Sequence, residues 1–482
     1  MSRIKFGTDG WRAVISEDFT FDNVKIVAQA IADYVRKQQS KIMNNNSDVY
    51  KKKFALVVGY DTRFLSEKYA ELVSCVLAAN GIKVVLADSP APTPSVSFTI
   101  TRRNFIGGVM ITASHNPARY NGIKYKGYFG GSAGTEITNT IESRLYRSKV
   151  KFISKDEAAK NGLLRIENIV PAHLKAAGRY ADMLLLKKAG LRILVDSMNG
   201  AGSNFIEELL KGTSNKVMTI NGARDAYFGG RPPEPNEDHL RSTAKLVKAG
   251  NFDVGIASDG DADRLGVILS DGTILSGHKI MTLLLLHLLE DRGLVGGVVQ
   301  TICGTALIDK ICKIYGLKTY ETAVGFKYIA EIMNSEDILV GGEETGGIAF
   351  KGWLPERDST LSALLILEMI AARKMNLKSI VDNIDKVYGT YVYKRFDMLF
   401  PADKKKKLLA HLAKNPFKKV LGKEIVDVKS FDGHKFIRSD RTWVMIRASG
   451  TEPKLRIYSE GRSDKEALQL IEFGKRFALS VR

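Results

Sequence analysis

Short apolar runs that alternate with amphipathic stretches are the main pattern along this chain. The runs are typical of buried strands, and helical patterns such as 22–38 and 67–79 lie between them. The strand candidates are 54–59, 82–87, 108–111, 191–195, 253–257 and 337–341. Strand–helix alternation of this kind predicts α/β architecture with mostly parallel sheets.

Three segments depart from this alternation. Residues 38–53 are polar and include three consecutive asparagines, which predicts a flexible surface loop. The apolar stretch 280–289 is too short to span a membrane and contains a histidine, so we expect a core helix and no membrane partner. After about Tyr391 the pattern becomes a shorter α+β one, which predicts a separate small domain.

Composition limits the possible classes of protein. A chain of 482 residues predicts about three domains, give or take one. Its cysteines, Cys75, Cys303 and Cys312, are too few and scattered for a disulfide framework or a zinc site, so we expect buried residues in a reducing compartment. The first residues contain no apolar signal segment, and we expect a cytoplasmic protein.

The net charge of +19 raises the alternative of a nucleic-acid-binding protein. The lysines and arginines are spread along the whole chain, however, and no aromatic-interleaved basic stripe or known nucleic-acid module is present. A basic surface also favours the approach of small anionic ligands. We therefore expect no nucleic-acid partner.

A serine loop follows the apolar run 108–111. Ser114 lies in Thr-Ala-Ser-His-Asn-Pro, and its hydroxyl could carry a phosphoryl group. Asn116-Pro117 and Asn121-Gly122 predict two turns, so 114–124 is expected to be a compact polar surface loop. Lys124 is a candidate general base if burial and nearby cations lower its pKa. The alternatives are an ordinary loop serine and a solvent-facing lysine.

An aspartate-rich loop follows the apolar run 253–257. Asp259, Asp261 and Asp263 alternate along a segment that we expect to be extended. Three converging carboxylates would repel one another unless a cation such as Mg²⁺ lay between them. The alternative is an Asp-rich turn. An EF-hand is excluded because the glutamate at the twelfth position is missing.

Three further loops carry polar and charged groups. Residues 341–347 place two acids and a hydroxyl on a glycine-rich backbone that could bind sugar hydroxyls, the alternative being a plain glycine-rich turn. Residues 447–456 combine arginines, hydroxyls and a glycine, as in a phosphate clamp. Residues 6–12 place Arg12 near the start of the chain.

In this order, the loops 112–117, 259–264, 342–347 and 447–453 resemble those of the α-D-phosphohexomutase superfamily, and the resemblance covers 6–458. It implies four domains around a central cleft: three related α/β units with mixed, mostly parallel sheets and a smaller C-terminal α+β domain. We expect their limits at 1–188, 189–292, 293–390 and 391–482.

The resemblance also implies the cofactors and the roles of residues. Ser114 would be phosphorylated, and its phosphate would hold Mg²⁺ together with Asp259, Asp261 and Asp263. Lys124, Arg12 and His115 would act in catalysis. The implied substrate-binding residues are Arg264, Gly325, Lys327, Glu343, Thr345, Arg447, Ser449, Gly450, Thr451 and Arg456.

The implied reaction interconverts hexose 1-phosphate and hexose 6-phosphate, through a hexose 1,6-bisphosphate that also serves as activator. Gly325-Phe326-Lys327 is similar to the segment of glucose-phosphate mutases, so glucose is the expected hexose. Mannose and glucosamine are the alternatives. Glu344, Thr345 and Gly347 stand where glucosamine-phosphate mutases tend to have Gln, Ser and His, and mannose/glucose mutases usually keep that His.

Two functions from other classes stay open. A sugar-phosphate-binding protein without activity would have no reason to keep Ser114, Lys124 and three aspartates. A phosphatase would need a route for water to the phosphoserine. We expect a hexose phosphate as the small-molecule partner and a monomer or dimer.

Overall fold

The computed structural model describes residues 4–7, 9–42, 52–448 and 454–481. The chain forms four units, each built on its own β-sheet. Helices pack on the sheets of the first three units, and two long helices accompany the fourth sheet.

The first unit has a six-stranded sheet with the order β1-β5-β4-β2-β3-β6. Strands β2, β3, β4 and β6 are parallel, whereas β5 runs antiparallel between β1 and β4. The strands are β1 (Trp11–Val14), β2 (Lys53–Tyr60), β3 (Lys83–Ala87), β4 (Phe105–Ile111), β5 (Tyr120–Gly127) and β6 (Leu164–Glu167). The helices are α1 (Phe21–Ile42), α2 (Ser66–Ala79), α3 (Thr93–Arg103), α4 (Thr135–Glu142), α5 (Lys155–Lys160), α6 (Val170–Tyr180) and α7 (Met183–Leu186).

The second and third units share one topology. Their sheets have the orders β10-β9-β7-β8 and β14-β13-β11-β12, with three parallel strands and one antiparallel edge strand each. The second unit contains β7 (Arg192–Asp196), α8 (Phe205–Leu210), β8 (Lys216–Ile220), α9 (Glu237–Ala249), β9 (Val254–Ser258) and β10 (Leu265–Leu269). The third contains α10 (Gly277–Leu286), β11 (Gly297–Thr301), α11 (Ala306–Tyr315), β12 (Thr319–Thr322), α12 (Phe326–Ser335), β13 (Ile338–Gly342), β14 (Ile348–Phe350), α13 (Ser359–Arg373) and α14 (Leu377–Tyr388). Strands β5-β4-β2-β3 of the first unit repeat this order, so the three units are related.

The fourth unit is an antiparallel sheet with the order β15-β20-β19-β18-β17-β16. Its elements are β15 (Val392–Leu399), α15 (Ala402–Lys414), β16 (Lys419–Val420), β17 (Lys423–Lys429), β18 (His434–Arg438), β19 (Trp443–Ala448), β20 (Lys454–Gly461) and α16 (Asp464–Ser480). The sequence predictions of four units, mostly parallel sheets and a smaller final domain are confirmed.

The cores follow from the apolar runs. Strand β4 is buried along its whole length, as expected of a strand covered on both faces. The apolar part of helix α10 and the turn after it is buried from Ile280 to Leu288 and contributes to the core of the second and third units, as predicted. The three cysteines are free and buried, also as predicted. No helix among the described residues is long and apolar enough to cross a membrane.

Two local predictions are wrong. Helix α1 continues to Ile42, into the segment predicted as a surface loop, and residues 43–51 of that segment lie outside the described residues. Asn121-Gly122 is not a turn but part of β5, because buried Ile123 and Tyr125 anchor a strand there. A Cβ at Gly122 would lie 2.6 Å from the carbonyl oxygen of Thr112 and 2.7 Å from that of Trp11, so only glycine fits between the neighbouring strands.

Candidate active site

Ser114 lies where the loop after β4 meets the second unit. Its side chain is fully buried, and its φ of 53° is in the left-handed region. Oγ donates to Asp259 Oδ2 at 2.9 Å, and the backbone N–H donates to Thr112 Oγ1 at 2.8 Å. The expected exposure is therefore wrong for Ser114, although Pro117 and Arg119 in the same loop are exposed. The aspartate loop covers Ser114 so closely that a Cβ at Gly260 would lie 2.5 Å from the carbonyl oxygen of Ser114.

The three aspartates converge after β9. They form a tight turn rather than an extended segment, since Asp259 Oδ1 accepts the N–H groups of Asp263 at 2.9 Å and Arg264 at 3.1 Å. One ligand atom from each carboxylate lies within 4.8 Å of the others, and all three residues are buried. Among the described residues, Asp261 Oδ1 and Asp263 Oδ1 are buried without a hydrogen-bond partner. The cluster therefore has free oxygen ligands for a hard cation.

The electrostatics of this cluster also favour a cation. Burial, together with the neighbouring carboxylates of Asp263 and Asp261, raises the pKa of Asp259 well above its ordinary value. Proximity of like charges in a buried site is unfavourable, and a divalent cation would relieve it.

Lys124 projects from β5 into the same cluster. Nζ lies 2.8 Å from Asp261 Oδ2, 2.9 Å from Asp9 Oδ2 and 3.4 Å from Asp263 Oδ2. Burial alone lowers the pKa of Lys124, but these carboxylates outweigh it and raise the pKa above its ordinary value. The expectation of a lowered pKa is therefore wrong for this arrangement, in which Lys124 is a cation.

Arg357, which the sequence did not single out, links several of these groups. Its guanidinium lies 2.7 Å from Asp263 Oδ2, 3.1 Å from Asp9 Oδ2 and 3.1 Å from Glu343 Oε2. Asp9 and Arg357 thereby connect the first unit with the aspartate loop and the 341–347 loop. The segment before α13 has no glycine-rich or repeated-acid signal, so only the fold shows that Arg357 belongs to the site.

Further cations surround the serine loop. Arg12 Nη1 donates to Asn116 Oδ1 at 2.7 Å, and Arg264 is buried with an Nε that has no hydrogen-bond partner among the described residues. Burial, together with Arg264, Arg12 and Arg395, lowers the pKa of His115 well below its ordinary value. His115 is thus neutral near pH 7 in a region that favours anions.

The loop after β13 lies against the aspartate loop. Leu265 N–H donates to the carbonyl oxygen of Gly346 at 3.0 Å, so the predicted sugar-binding residues lie next to the aspartates. Glu343 is buried, and burial raises its pKa. The Oγ1 of Thr345 is buried without a partner among the described residues, so this hydroxyl is available to a ligand.

Replacing Gly346 tests this packing. Gly346 has a φ of +86°, and a Cβ there would lie 2.4 Å from the carbonyl oxygen of Leu265. We expect Gly346→Ala to lower the free energy of unfolding by more than about 1 kcal/mol. The alanine would have to adopt a left-handed backbone conformation, and its Cβ would also clash with the backbone. Urea unfolding measures this. Gly316→Ala, at a left-handed position with open space, is the control for backbone strain alone.

The predicted sugar-specificity segment and the phosphate clamp lie close to each other. Gly325 has a φ of 135°, which favours glycine, and it precedes α12, whose Lys327 is buried with Nζ 5.0 Å from the Tyr328 ring. Arg447 Nε lies 2.9 Å from Asp432 Oδ1, and Asp432 Oδ2 accepts the N–H of Val324 at 2.8 Å. Asp432 therefore joins the clamp to the segment before Gly325.

Only part of the clamp is described. Arg456 stands opposite Arg447 in the β19–β20 ladder, and its Nε lies 3.5 Å from Asp397 Oδ2. Ser449, Gly450 and Thr451 lie outside the described residues.

Sequence models of the phosphoglucomutase/phosphomannomutase domains match almost the whole chain. The α/β/α domains I, II and III match residues 3–151, 171–272 and 276–388, and the C-terminal domain matches 400–473. The chain belongs to this family. The limits of its four domains stay predictions, because the matches leave the connecting segments unassigned.

Members of the phosphoglucomutase/phosphomannomutase family with different names resemble the chain. A phosphoglucomutase/phosphomannomutase of Thermococcus kodakarensis is 32% identical, with 97% of each chain covered. A phosphoglucosamine/phosphogalactosamine mutase of Sulfurisphaera tokodaii is 29% identical, also with 97% of each covered. The structure of a putative phosphomannomutase from Thermus thermophilus has a TM-score of 0.85 at 30% identity, covering 99% of this chain and 100% of the other.

These relatives and the four matched domains make the chain a phosphohexomutase, an isomerase that transfers a phosphoryl group within a hexose phosphate. The superfamily depends on Mg²⁺, and the aspartate cluster is a group that could hold this ion.

Proposed function

We propose that the enzyme interconverts glucose 1-phosphate and glucose 6-phosphate by means of a phosphoserine at position 114. The observation that carries the proposal is the contact between Ser114 Oγ and Asp259 Oδ2, 2.9 Å long, at the edge of the three-aspartate cluster. A hydroxyl next to a cation site with free carboxylate oxygens suits a phosphoryl carrier.

Each half of the reaction transfers one phosphoryl group. Phosphoserine 114 gives its phosphoryl to the free hydroxyl of the hexose monophosphate, which yields a hexose 1,6-bisphosphate and free Ser114. After the bisphosphate has reoriented, Ser114 accepts the other phosphoryl group, and the isomeric monophosphate leaves. A clamp made by Arg447, Arg456 and residues 449–451 would hold the phosphate that does not react, whichever end of the sugar carries it.

The residues around Ser114 stabilise charge and hold protons. Asp259, Asp261 and Asp263 would hold Mg²⁺, which would neutralise charge on the transferring group. Arg12 and Arg264 provide further positive charge. We assign Lys124 to charge stabilisation and proton donation, because its raised pKa keeps it protonated before the reaction.

Glucose is the hexose that we propose, because Gly325-Phe326-Lys327 resembles the corresponding segment of glucose-phosphate mutases. Glu343 and Thr345 are placed beside the aspartates with groups suited to sugar hydroxyls. Mannose and glucosamine phosphates are the competing substrates, since relatives carry those names.

Steady-state kinetics with the three hexose 1-phosphates tests this choice. An epimer that leaves a buried polar group unpaired loses roughly 1–3 kcal/mol, so we expect a glucose preference of about five- to 150-fold in kcat/KM over mannose. Glu343→Gln, which keeps an oxygen for Arg357, should lower kcat/KM for glucose phosphate while Ser114 is still phosphorylated.

The outcomes of this experiment are distinct. A higher kcat/KM with mannose or glucosamine 1-phosphate would contradict the glucose assignment but keep the mutase. Release of free phosphate would indicate a phosphatase, and no change would indicate a binding protein. Exposed Glu336→Ala in the same unit is the control and should leave the preference unchanged. Cytoplasmic location and a monomeric or dimeric state stay predictions.

A further inference from the structure

A fully buried arginine lies beneath the serine loop. Arg63 follows β2, and its Nε lies 3.1 Å from Asp61 Oδ2. The two Nη atoms donate to four backbone carbonyl oxygens of the serine loop: Ser114 at 2.5 Å, Asn116 at 2.6 Å, Pro117 at 2.9 Å and Tyr120 at 3.0 Å. One side chain thus fixes the course of the backbone over 114–120.

These five contacts use all five N–H donors that a guanidinium has. Arg63 therefore has no donor left for a phosphate, in contrast to Arg264, whose Nε donates no hydrogen bond among the described residues. We propose that Arg63 is a positioning residue, which holds the serine loop so that Ser114 Oγ stays directed at Asp259. The proposal rests on the assignment of Ser114 as phosphoryl carrier.

Arg63 reaches Ser114 by two routes. It donates directly to the carbonyl oxygen of Ser114. It is also linked to the N–H of Ser114 through Asp61 and Thr112. Thr112 Oγ1 donates to Asp61 Oδ2 at 2.6 Å and accepts from Ser114 N–H at 2.8 Å. A serine with a φ of 53° is in an unfavourable backbone region unless its surroundings hold it there. The two routes supply that restraint.

The same arginine is fixed to the unit that carries the aspartates. Its Cζ lies 4.8 Å from the centroid of the buried Phe228 ring of the second unit. Its carbonyl oxygen accepts from Arg224 Nη2 at 3.3 Å, and the adjacent Thr62 Oγ1 donates to the carbonyl oxygen of Asn199 at 2.8 Å. Arg63 therefore sets the serine loop relative to the second unit, which is the geometry that phosphoryl transfer requires.

The decisive variant is Arg63→Lys. An ammonium keeps the charge but has only three donors, so at least two of the five contacts are lost. We expect kcat to fall about ten- to 100-fold, the range for a misplacement of about 1 Å, while KM changes by less than about twofold. The rate at which Ser114 gains a phosphoryl group from glucose 1,6-bisphosphate, followed by mass spectrometry, should fall by the same factor.

Arg438→Lys is the matched control, because Arg438 is equally buried and ion-paired to Glu466 in the fourth unit. It should keep the wild-type kcat. Thr112→Val, which removes the hydroxyl between Asp61 and Ser114 at nearly constant volume, should show the same loss of kcat. Thr112→Val decides the question if Arg63→Lys does not fold.

Wild-type rates of serine phosphorylation in folded Arg63→Lys, or in Thr112→Val if the lysine variant does not fold, would overturn the proposal. An equal loss in Arg438→Lys would also overturn it, since any buried arginine would then have the same effect. If the wild-type protein itself gains no phosphoryl group at Ser114, the phosphoserine function fails, and the positioning role fails with it.

Discussion

Ser114→Ala is expected to lower kcat by on the order of 10⁴-fold or more, as loss of an enzyme's nucleophile does. The hydroxyl is the only group that the proposed reaction phosphorylates on the protein. Since Ser114 is buried and its Oγ binds Asp259, the substitution should also cost roughly 1 kcal/mol of stability through the lost hydrogen bond. A mutase assay and urea unfolding measure the two effects separately.

Ser74→Ala is the matched control. Ser74 is equally buried in α2, and its Oγ donates to the carbonyl oxygen of Ala70 at 2.8 Å, away from the site. It should show a similar loss of stability and full activity. Turnover near the wild-type rate in Ser114→Ala would exclude a phosphoserine at this position.

The parallel edge strands β6, β8 and β12, which are only partly buried, were not predicted, and neither was the buried strand β11. The other parallel strands could be predicted from the sequence because they are largely buried on both faces. Such strands appear as continuous apolar runs, and β4, β9 and β13 were found in this way. Strand β5 was missed because Asn121-Gly122 is typical of a turn. Only the two flanking strands, which approach Gly122 from both sides, explain a glycine there.

Those site residues that belong to short sequence motifs could be predicted. The proximity of Ser114 and the three aspartates could be predicted because each group follows an apolar strand, and such loops gather ligands in α/β folds. Asp9, Arg63 and Arg357 were not given roles, since single buried charges leave no periodic pattern. The pKa of Lys124 could not be predicted either, because its sign depends on carboxylates more than a hundred residues away in sequence.

Removal of the metal is the second prediction with a large effect. Treatment with EDTA should lower kcat by about 10²- to 10⁴-fold, because a bound cation supplies several kcal/mol of charge stabilisation and each 1.4 kcal/mol is a factor of ten. Added Mg²⁺ should restore activity. It should also stabilise the folded protein by about 2.7 kcal/mol when its concentration is 100 times Kd.

Asp259→Asn separates binding of the ion from stability of the fold. Among the three aspartates, only Asp259 lacks an ion pair within the described residues, and burial beside Asp263 and Asp261 raises its pKa. Loss of its charge should therefore leave the metal-free protein at least as stable as wild type, while activity and the stabilisation by Mg²⁺ are lost. Exposed Asp271→Asn in the same unit is the control and should keep both. Full activity after complete metal removal would contradict the assignment of the three aspartates as a Mg²⁺ site. Mg²⁺ stabilisation that persists in Asp259→Asn would also contradict it, because the free energy of Mg²⁺ binding is expected to come from the three converging carboxylates.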